Sequence, residues 1–282
     1  MTPPTPVESN AAPGRSTVFR IAIAIAAVLL LALIALPLVA LLVRVPPGEL
    51  IARLGQPVIR DALRLSLITT VAATLIVVTL GTPLAYLLAT RRLPGQRAIE
   101  ILVMLPMVLP PTVAGFALLM AFGRTGLVGR SLSAFGITLP FTTLGVIVAE
   151  AFMAAPFYVL AARAGFLGVD RRLVEAARTT RASESYAFRR VLLPLALPGL
   201  GAGAAMAAAR ALGEFGATIT FAGNLQGVTQ TMPLAVYLAL QSDLDAAVTL
   251  SVLLLVLSIA LLIALRAAPL AWMGTDADRR RP

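Results

Sequence analysis

IAIAIAAVLLLALIALPLVALLV, residues 21–43, is an unbroken apolar run bounded by Arg20 and Arg44. Coiled as an α-helix, a run of this length extends roughly 35 Å, enough to cross the hydrocarbon core of a bilayer. It is long for the apolar region of a cleaved signal peptide, so it reads as a retained spanning helix. The rest of the chain repeats the pattern. Of 282 residues, 59% are hydrophobic and only 13% charged, against roughly 45–50% and 25% in soluble domains. The mean hydropathy is +0.92. A water-soluble fold could not hide so much apolar surface, so the solvent is lipid. A disordered chain, a disulfide scaffold and a cytosolic enzyme are all excluded as classes.

Missing residue types narrow the chemistry. There is no His, no Cys and no Lys; all 23 basic residues are Arg. Without them there is no thiol nucleophile, no Ser-His-Asp triad and no ordinary zinc ligand set. No catalytic cluster and no metal site is expected. A P-loop requires a Lys on the nucleotide phosphates, so this chain holds no Walker-type ATPase site. If ATP drives it, another subunit supplies the energy.

Further spanning helices are expected near 66–90, 98–122, 142–164, 197–221 and 247–267, six in all with the first. Residues 1–16 read as a disordered tail, 17–268 as the membrane domain and 269–282 as a C-terminal tail. Pro106, Pro110 and Pro111 predict a kinked or broken entry to the third span. Gly81, Thr82 and Pro83 mark a kink in the second. With the N-terminus inside, sixteen Arg fall on inner segments and six on outer ones. That imbalance predicts both termini in the cytoplasm of a bacterial inner-membrane, multi-pass protein. Arg279–Arg281 read as an inner-side anchor, not a nucleic-acid contact. A weak echo links Leu105–Pro110 with Leu193–Pro198; transporters often carry internal repeats, and chance in a Leu-rich chain is the other explanation.

The longest inner loop, about 163–196, lies within ARAGFLGVDRRLVEAARTTRASESYAFRRVLLPLALPGL, residues 162–200. Val169–Arg181 has the spacing of a short amphipathic helix. Ser183 opens a second helical stretch through Tyr186 and Phe188, which Pro194 is expected to end. From the residues alone two readings stand open: a docking element for a soluble partner, or a helix lying on anionic lipid.

This loop resembles the EAA loop of the permease subunits of ABC importers. Glu175, Ala176 and Ala177 match its triplet; Phe188, Leu193 and Pro194 match later positions. Arg181 stands where the motif has Gly, so a tight positive-φ turn there is not expected. ARALGEFGATITFAGN (209–224), TQTMPLAVY (229–237) and LPMVLPPTVAGFALLMAFG (105–123) resemble the molybdate permease branch. The resemblance covers roughly residues 60–266. It implies an all-α integral membrane protein of the type I importer architecture, whose coupling loop meets an ATPase subunit dimer carrying ATP and Mg. It also implies a second, identical permease chain and a periplasmic or lipid-anchored oxyanion-binding protein. The pathway would then be gated near the outer halves of the third and fifth helices. Sulfate, thiosulfate and tungstate permeases are close alternatives. A stand-alone secondary transporter would need protonatable groups at mid-membrane, and only Glu214 and Glu150 offer them.

Arg210 and Glu214 lie four residues apart in the expected fifth span, so they share a helix face. An unpaired Arg at a helix centre costs about 2.5–3.5 kcal/mol. Either it lines the anion pathway or it forms an ion pair that fixes packing; the ion pair is the favoured expectation. Gly201, Gly203, Gly213 and Gly216 in the same span imply close helix contact. Thr231–Leu240 is expected as a short re-entrant or surface helix that closes the outer gate or touches the binding protein. Asp243 and Asp245 read as solvated charges.

Overall fold

The computed structural model describes residues 13–45, 48, 50, 54–90, 93–170, 172, 173, 175 and 183–278, with side chains between 19 and 264. All regular structure among them is helical. Helix α1, Pro13–Val43, forms a unit of its own, its apolar side chains exposed along its length. That is the pattern of a helix whose surroundings are lipid.

The second unit holds the other helices. They are α2 (Pro57–Thr90), α3 (Gln96–Val108), α4 (Pro111–Phe122), α5 (Gly129–Ala134) and α6 (Thr143–Leu167). The chain then continues through α7 (Glu184–Ala187), a π-helical turn (Phe188–Leu192), α8 (Leu193–Leu212), α9 (Gly216–Ala222), α10 (Met232–Ala239) and α11 (Leu244–Asp278). Five helical runs are long and apolar enough to cross a membrane, and the α3–α4 pair makes a sixth if counted as one bent span. Helices α1 and α11 reach into the stretches expected as tails.

Helix α6 is the centre. It packs against α2 and α8, and also touches α3 and α9. The contact is built from small residues. Ala73 and Ala85 of α2 meet Ala154, Tyr158 and Ala162 of α6, with Ala196, Leu200 and Ala207 of α8 completing the core. A Cβ placed on Gly199 would lie 2.5 Å from the Cα of Gly165, so α6 and α8 touch backbone to backbone. In lipid there is no hydrophobic drive between helices, and such close contact supplies the association instead. Thr82 Oγ1 and Tyr158 Oη lie 2.6 Å apart across α2 and α6. An interhelical bond of this kind contributes about 0.6 kcal/mol, so packing dominates. Several other hydroxyls return to their own helices: Thr79, Thr90, Ser251 and Ser258 donate to the carbonyl four residues earlier. This keeps small polar groups satisfied in an apolar medium.

Two expected spans differ from the structure. The third is not merely kinked at its start. Pro106 stays inside α3, and the break falls at Leu109–Pro110, where α3 and α4 meet at 118°. Each of these two residues precedes a proline, which disfavours the helical region; both adopt extended ψ, 135° and 133°. The expected fifth span, 197–221, is displaced. The crossing runs over Glu184–Leu212, and 216–222 is a separate helix. Pro194 does not end the stretch begun at Ser183. The π turn just before it widens the helix, with Leu193 N–H bonding to Phe188 O, and the proline ring is carried through. Helix α10 lies where 231–240 was expected, but Met232 and Leu234 are fully buried and it packs on α2 and α11. Ser66 Oγ accepts the Met232 N–H at 2.7 Å.

The α6–α8 contact yields a prediction. Gly199→Ala forces the two backbones apart and costs about 2 kcal/mol, within the overpacking range. Gly168→Ala, whose added Cβ would meet nothing closer than 3.4 Å, leaves stability unchanged. Thermal unfolding of the detergent-solubilised protein checks both.

Candidate functional site

Two regions gather the functional candidates. The first is the base of the long loop. Helix α6 ends at Leu167, and Arg172, Leu173 and Glu175 are helical and exposed. Ala176, Ala177 and Arg181 lie outside the described residues, as does most of the expected amphipathic helix. The chain returns at Ser183, whose Oγ accepts the Tyr186 N–H at 3.2 Å and caps α7. Phe188 then sits edge-on to Tyr86, ring centroids 4.8 Å apart, with Phe166 5.8 Å from Tyr86. Leu193 is partly buried against the same core, while Pro194 is exposed. The motif residues therefore divide. Phe188 and Leu193 seat the loop on the bundle; Glu175 and Pro194 face outward.

Polar groups flank this seat. Arg163, in the last turns of α6, forms an ion pair with Glu100 of α3 at 2.9 Å. Its Nε also donates to Leu88 O in α2, at 3.4 Å. Gln96 Nε2 donates to both Glu100 Oε1 and Leu88 O, at 2.8 and 3.2 Å. Sequence reading passed over Glu100 and Gln96, because nothing local in the chain ties them to Arg163.

The second region lies where α4 and α9 meet. Both follow a break, one at Leu109–Pro110 and the other at Gly213–Phe215. They pack closely: a Cβ on Gly115 would lie 2.7 Å from Ala217 O, and one on Gly216 would lie 2.5 Å from Pro111 Cβ. Arg210 and Glu214 sit at the second break. Arg210 lies in the last turn of α8, and its Nη2 lies 2.5 Å from Glu214 Oε2. The other carboxylate oxygen, Oε1, accepts the Ala217 N–H at 2.7 Å and so caps α9. Glu214 is 1% exposed and Arg210 24%. The favoured expectation, an ion pair, matches this geometry, but the pair spans a helix end instead of a continuous face. Glu150, fully buried in α6, accepts a bond from Thr69 Oγ1 of α2 at 2.8 Å. Asp243 Oδ1 accepts the Ala246 N–H and opens α11, so it is a cap as well as an exposed charge.

A buried Glu214 without its cation is the costly state. Arg210→Gln therefore destabilises the fold by about 3 kcal/mol, the lower end for a buried pair because Arg210 is partly solvated. The double variant Arg210→Gln, Glu214→Gln recovers most of that loss, since a Gln oxygen still caps α9. Unfolding midpoints of the three proteins test this.

Comparison with known proteins agrees with this architecture. Residues 81–268 match the family described as binding-protein-dependent transport system inner membrane component. The chain is 46% identical over 221 residues to the molybdenum transport system permease protein ModB of Mycobacterium tuberculosis, covering 78% of this chain and 83% of that protein. It is 43% identical over 183 residues to the Escherichia coli K12 protein of the same name, covering 64% and 80%. Among solved structures, a bacterial ABC transporter involved in import of the acidic polysaccharide alginate superimposes with a TM-score of 0.73 at 14% identity, over 91% of this chain and 96% of that one. A second, the MetNI methionine ABC transporter in an inward-facing form, gives 0.56 at 20% identity over 76% and 93%. These two likenesses concern the fold alone. The family match spans most of the chain and a molybdenum permease is 46% identical over 78% of it, so this chain belongs to the family of inner-membrane components of binding-protein-dependent transport systems.

Proposed function

We propose that this chain is the permease subunit of an ATP-driven molybdate importer. The observation that carries the substrate is the 46% identity to a molybdenum transport permease over 78% of the chain. The chain itself makes and breaks no covalent bond. ATP and Mg belong to a partner ATPase dimer, and the residues for meeting it are Glu175, Ala176, Ala177 and Arg181, with Phe188, Leu193 and Pro194 seating the loop. The exposure of Glu175 supports that role.

Two identical permease chains would enclose the pathway, with lipid around them. A periplasmic or lipid-anchored binding protein would deliver the anion; one structural neighbour is an alginate transporter in complex with a loaded periplasmic protein. Both termini then lie in the cytoplasm, as the Arg imbalance requires. ATP binding closes the ATPase pair and draws the coupling loops together. The permease halves turn outward-open and receive the dianion, and hydrolysis resets them. The bent α3–α4 pair and the α8–α9 break supply the outer gate. Arg210 neutralises Glu214 and fixes that break; it is not a stopping place for the substrate. A tight cationic site would slow release, and the binding protein already selects.

Uptake of radiolabelled molybdate at low nanomolar concentration tests the substrate. Deleting this gene abolishes uptake, and excess sulfate does not compete in the parent strain. Unchanged uptake in a strain with no second molybdate system would transfer the assignment to sulfate or another oxyanion. Glu175→Arg tests the coupling role: transport and partner ATP hydrolysis both fall, about tenfold or more, while the permease still enters the membrane. Normal transport by that variant would remove Glu175 from the interface.

A further inference from the structure

Arg163, Glu100, Gln96 and the carbonyl of Leu88 form a closed ring of hydrogen bonds that joins three helices at the base of the long loop. The four groups are arranged pairwise. Glu100 Oε1 accepts from Arg163 and from Gln96, and Leu88 O accepts from the same two side chains. Leu88 lies in the last turn of α2, where carbonyls have no partner within the helix. Gly95, at φ 71°, turns the chain sharply so that α3 starts beside that end. Arg163 stands in the last turns of α6, just before the loop departs. On the returning side, Phe188 leans on Tyr86, also in the final turns of α2. Both limbs of the loop thus rest on the same end of α2, one through an ion pair and one through aromatic rings.

We infer that Arg163, Glu100 and Gln96 are positioning residues of the transport cycle. They lock the base of the loop to the α2–α3 turn, so that a displacement of the loop is delivered to α3 and through it to the bent α3–α4 pair. The inference rests on the reading of the loop as the ATPase contact. Its observation is independent, because none of the three residues belongs to the loop motif. Arg163 and Glu100 are 28% and 29% exposed, so solvent screens part of their attraction. A ring that cross-ties three helix ends still removes their freedom to slide. Motion applied to α6 then cannot be lost in the α2–α3 turn.

The test uses the whole transporter, permease with its ATPase and binding protein in lipid vesicles, reading molybdate uptake and ATP hydrolysis on one preparation. Glu100→Gln and Arg163→Gln lower uptake per ATP hydrolysed about tenfold, within the range that coupling through a contact network carries. The amount of permease recovered with its ATPase stays unchanged. The exchanged pair Glu100→Arg, Arg163→Glu restores the ratio to within about twofold of wild type. If the exchanged pair does not accumulate in the membrane, Arg163→Lys takes its place, keeping the charge and restoring most of the ratio. A wild-type ratio in both Gln variants overturns the inference. So does a parallel fall of uptake and hydrolysis with less complex recovered, which would assign the ring to stability alone. Glu175→Arg in the same vesicles separates the two ideas: normal transport there ends the docking role of the loop, while the uptake-to-hydrolysis ratio reads the ring by itself.

Discussion

Every backbone N–H and C=O in the hydrocarbon needs a partner from the protein, and this requirement governs the whole architecture. Helices meet it automatically, so the interest lies where the helix is interrupted. Three such places stand out among the described residues, and each has a compensation. At Leu109–Pro110 two successive residues precede prolines, and the missing donor of Pro110 removes one group that would need a partner. At Gly213–Phe215 the carboxylate of Glu214 reaches forward to the Ala217 N–H and caps the new helix. At Phe188–Leu192 the helix widens by one residue and keeps its bonds, letting Pro194 pass. The half-helices α4 and α9 that follow two of these interruptions then pack together through Gly115 and Gly216.

Association of the helices follows from the same solvent. Lipid offers no hydrophobic gain for bringing two apolar helices together, so contact depends on how closely backbones approach. Glycine and alanine provide that approach along α6: Gly165 against Gly199, and Tyr158 against Gly81 and Gly203. Two of the acidic groups are paired with Arg. Glu214 has Arg210, and Glu100 has Arg163. The first pair sits at a helix break inside the bundle and the second at the base of the loop. Close packing joins the helices at the centre, while the α3–α4 bend and the α8–α9 break lie at its margins.

Much of this was legible in the chain. Apolar length located most of the crossings, and the clustering of Arg between apolar runs separated lipid from loop. The pairing of Arg210 with Glu214 was readable from their spacing. The end of the fifth span was not, because Gly213 and Gly216 read as packing glycines inside one continuous apolar stretch. Pro194 misled for a related reason: proline ends a helix unless a π turn precedes it, and no local signal announces one. Helix α10 could be read as a re-entrant or a surface element, since its burial depends on α2, which is remote in sequence, as well as on the neighbouring α11. Glu100 and Gln96 gave no sign at all. Each is an ordinary polar residue near a helix start until α6 brings Arg163 beside them.

The amino-acid sequence by itself determined the solvent, the number of apolar segments and the residue types from which any site must be built. These depend on composition and on short-range spacing, which the chain carries wherever it is folded. Tertiary structure alone decided which proline bends the chain, where α8 ends, and which distant residues close a ring at the base of the loop. Those outcomes arise from competition between a local preference and contacts made by other helices. The winner is set by geometry that exists only when α2, α3, α6 and α8 lie side by side.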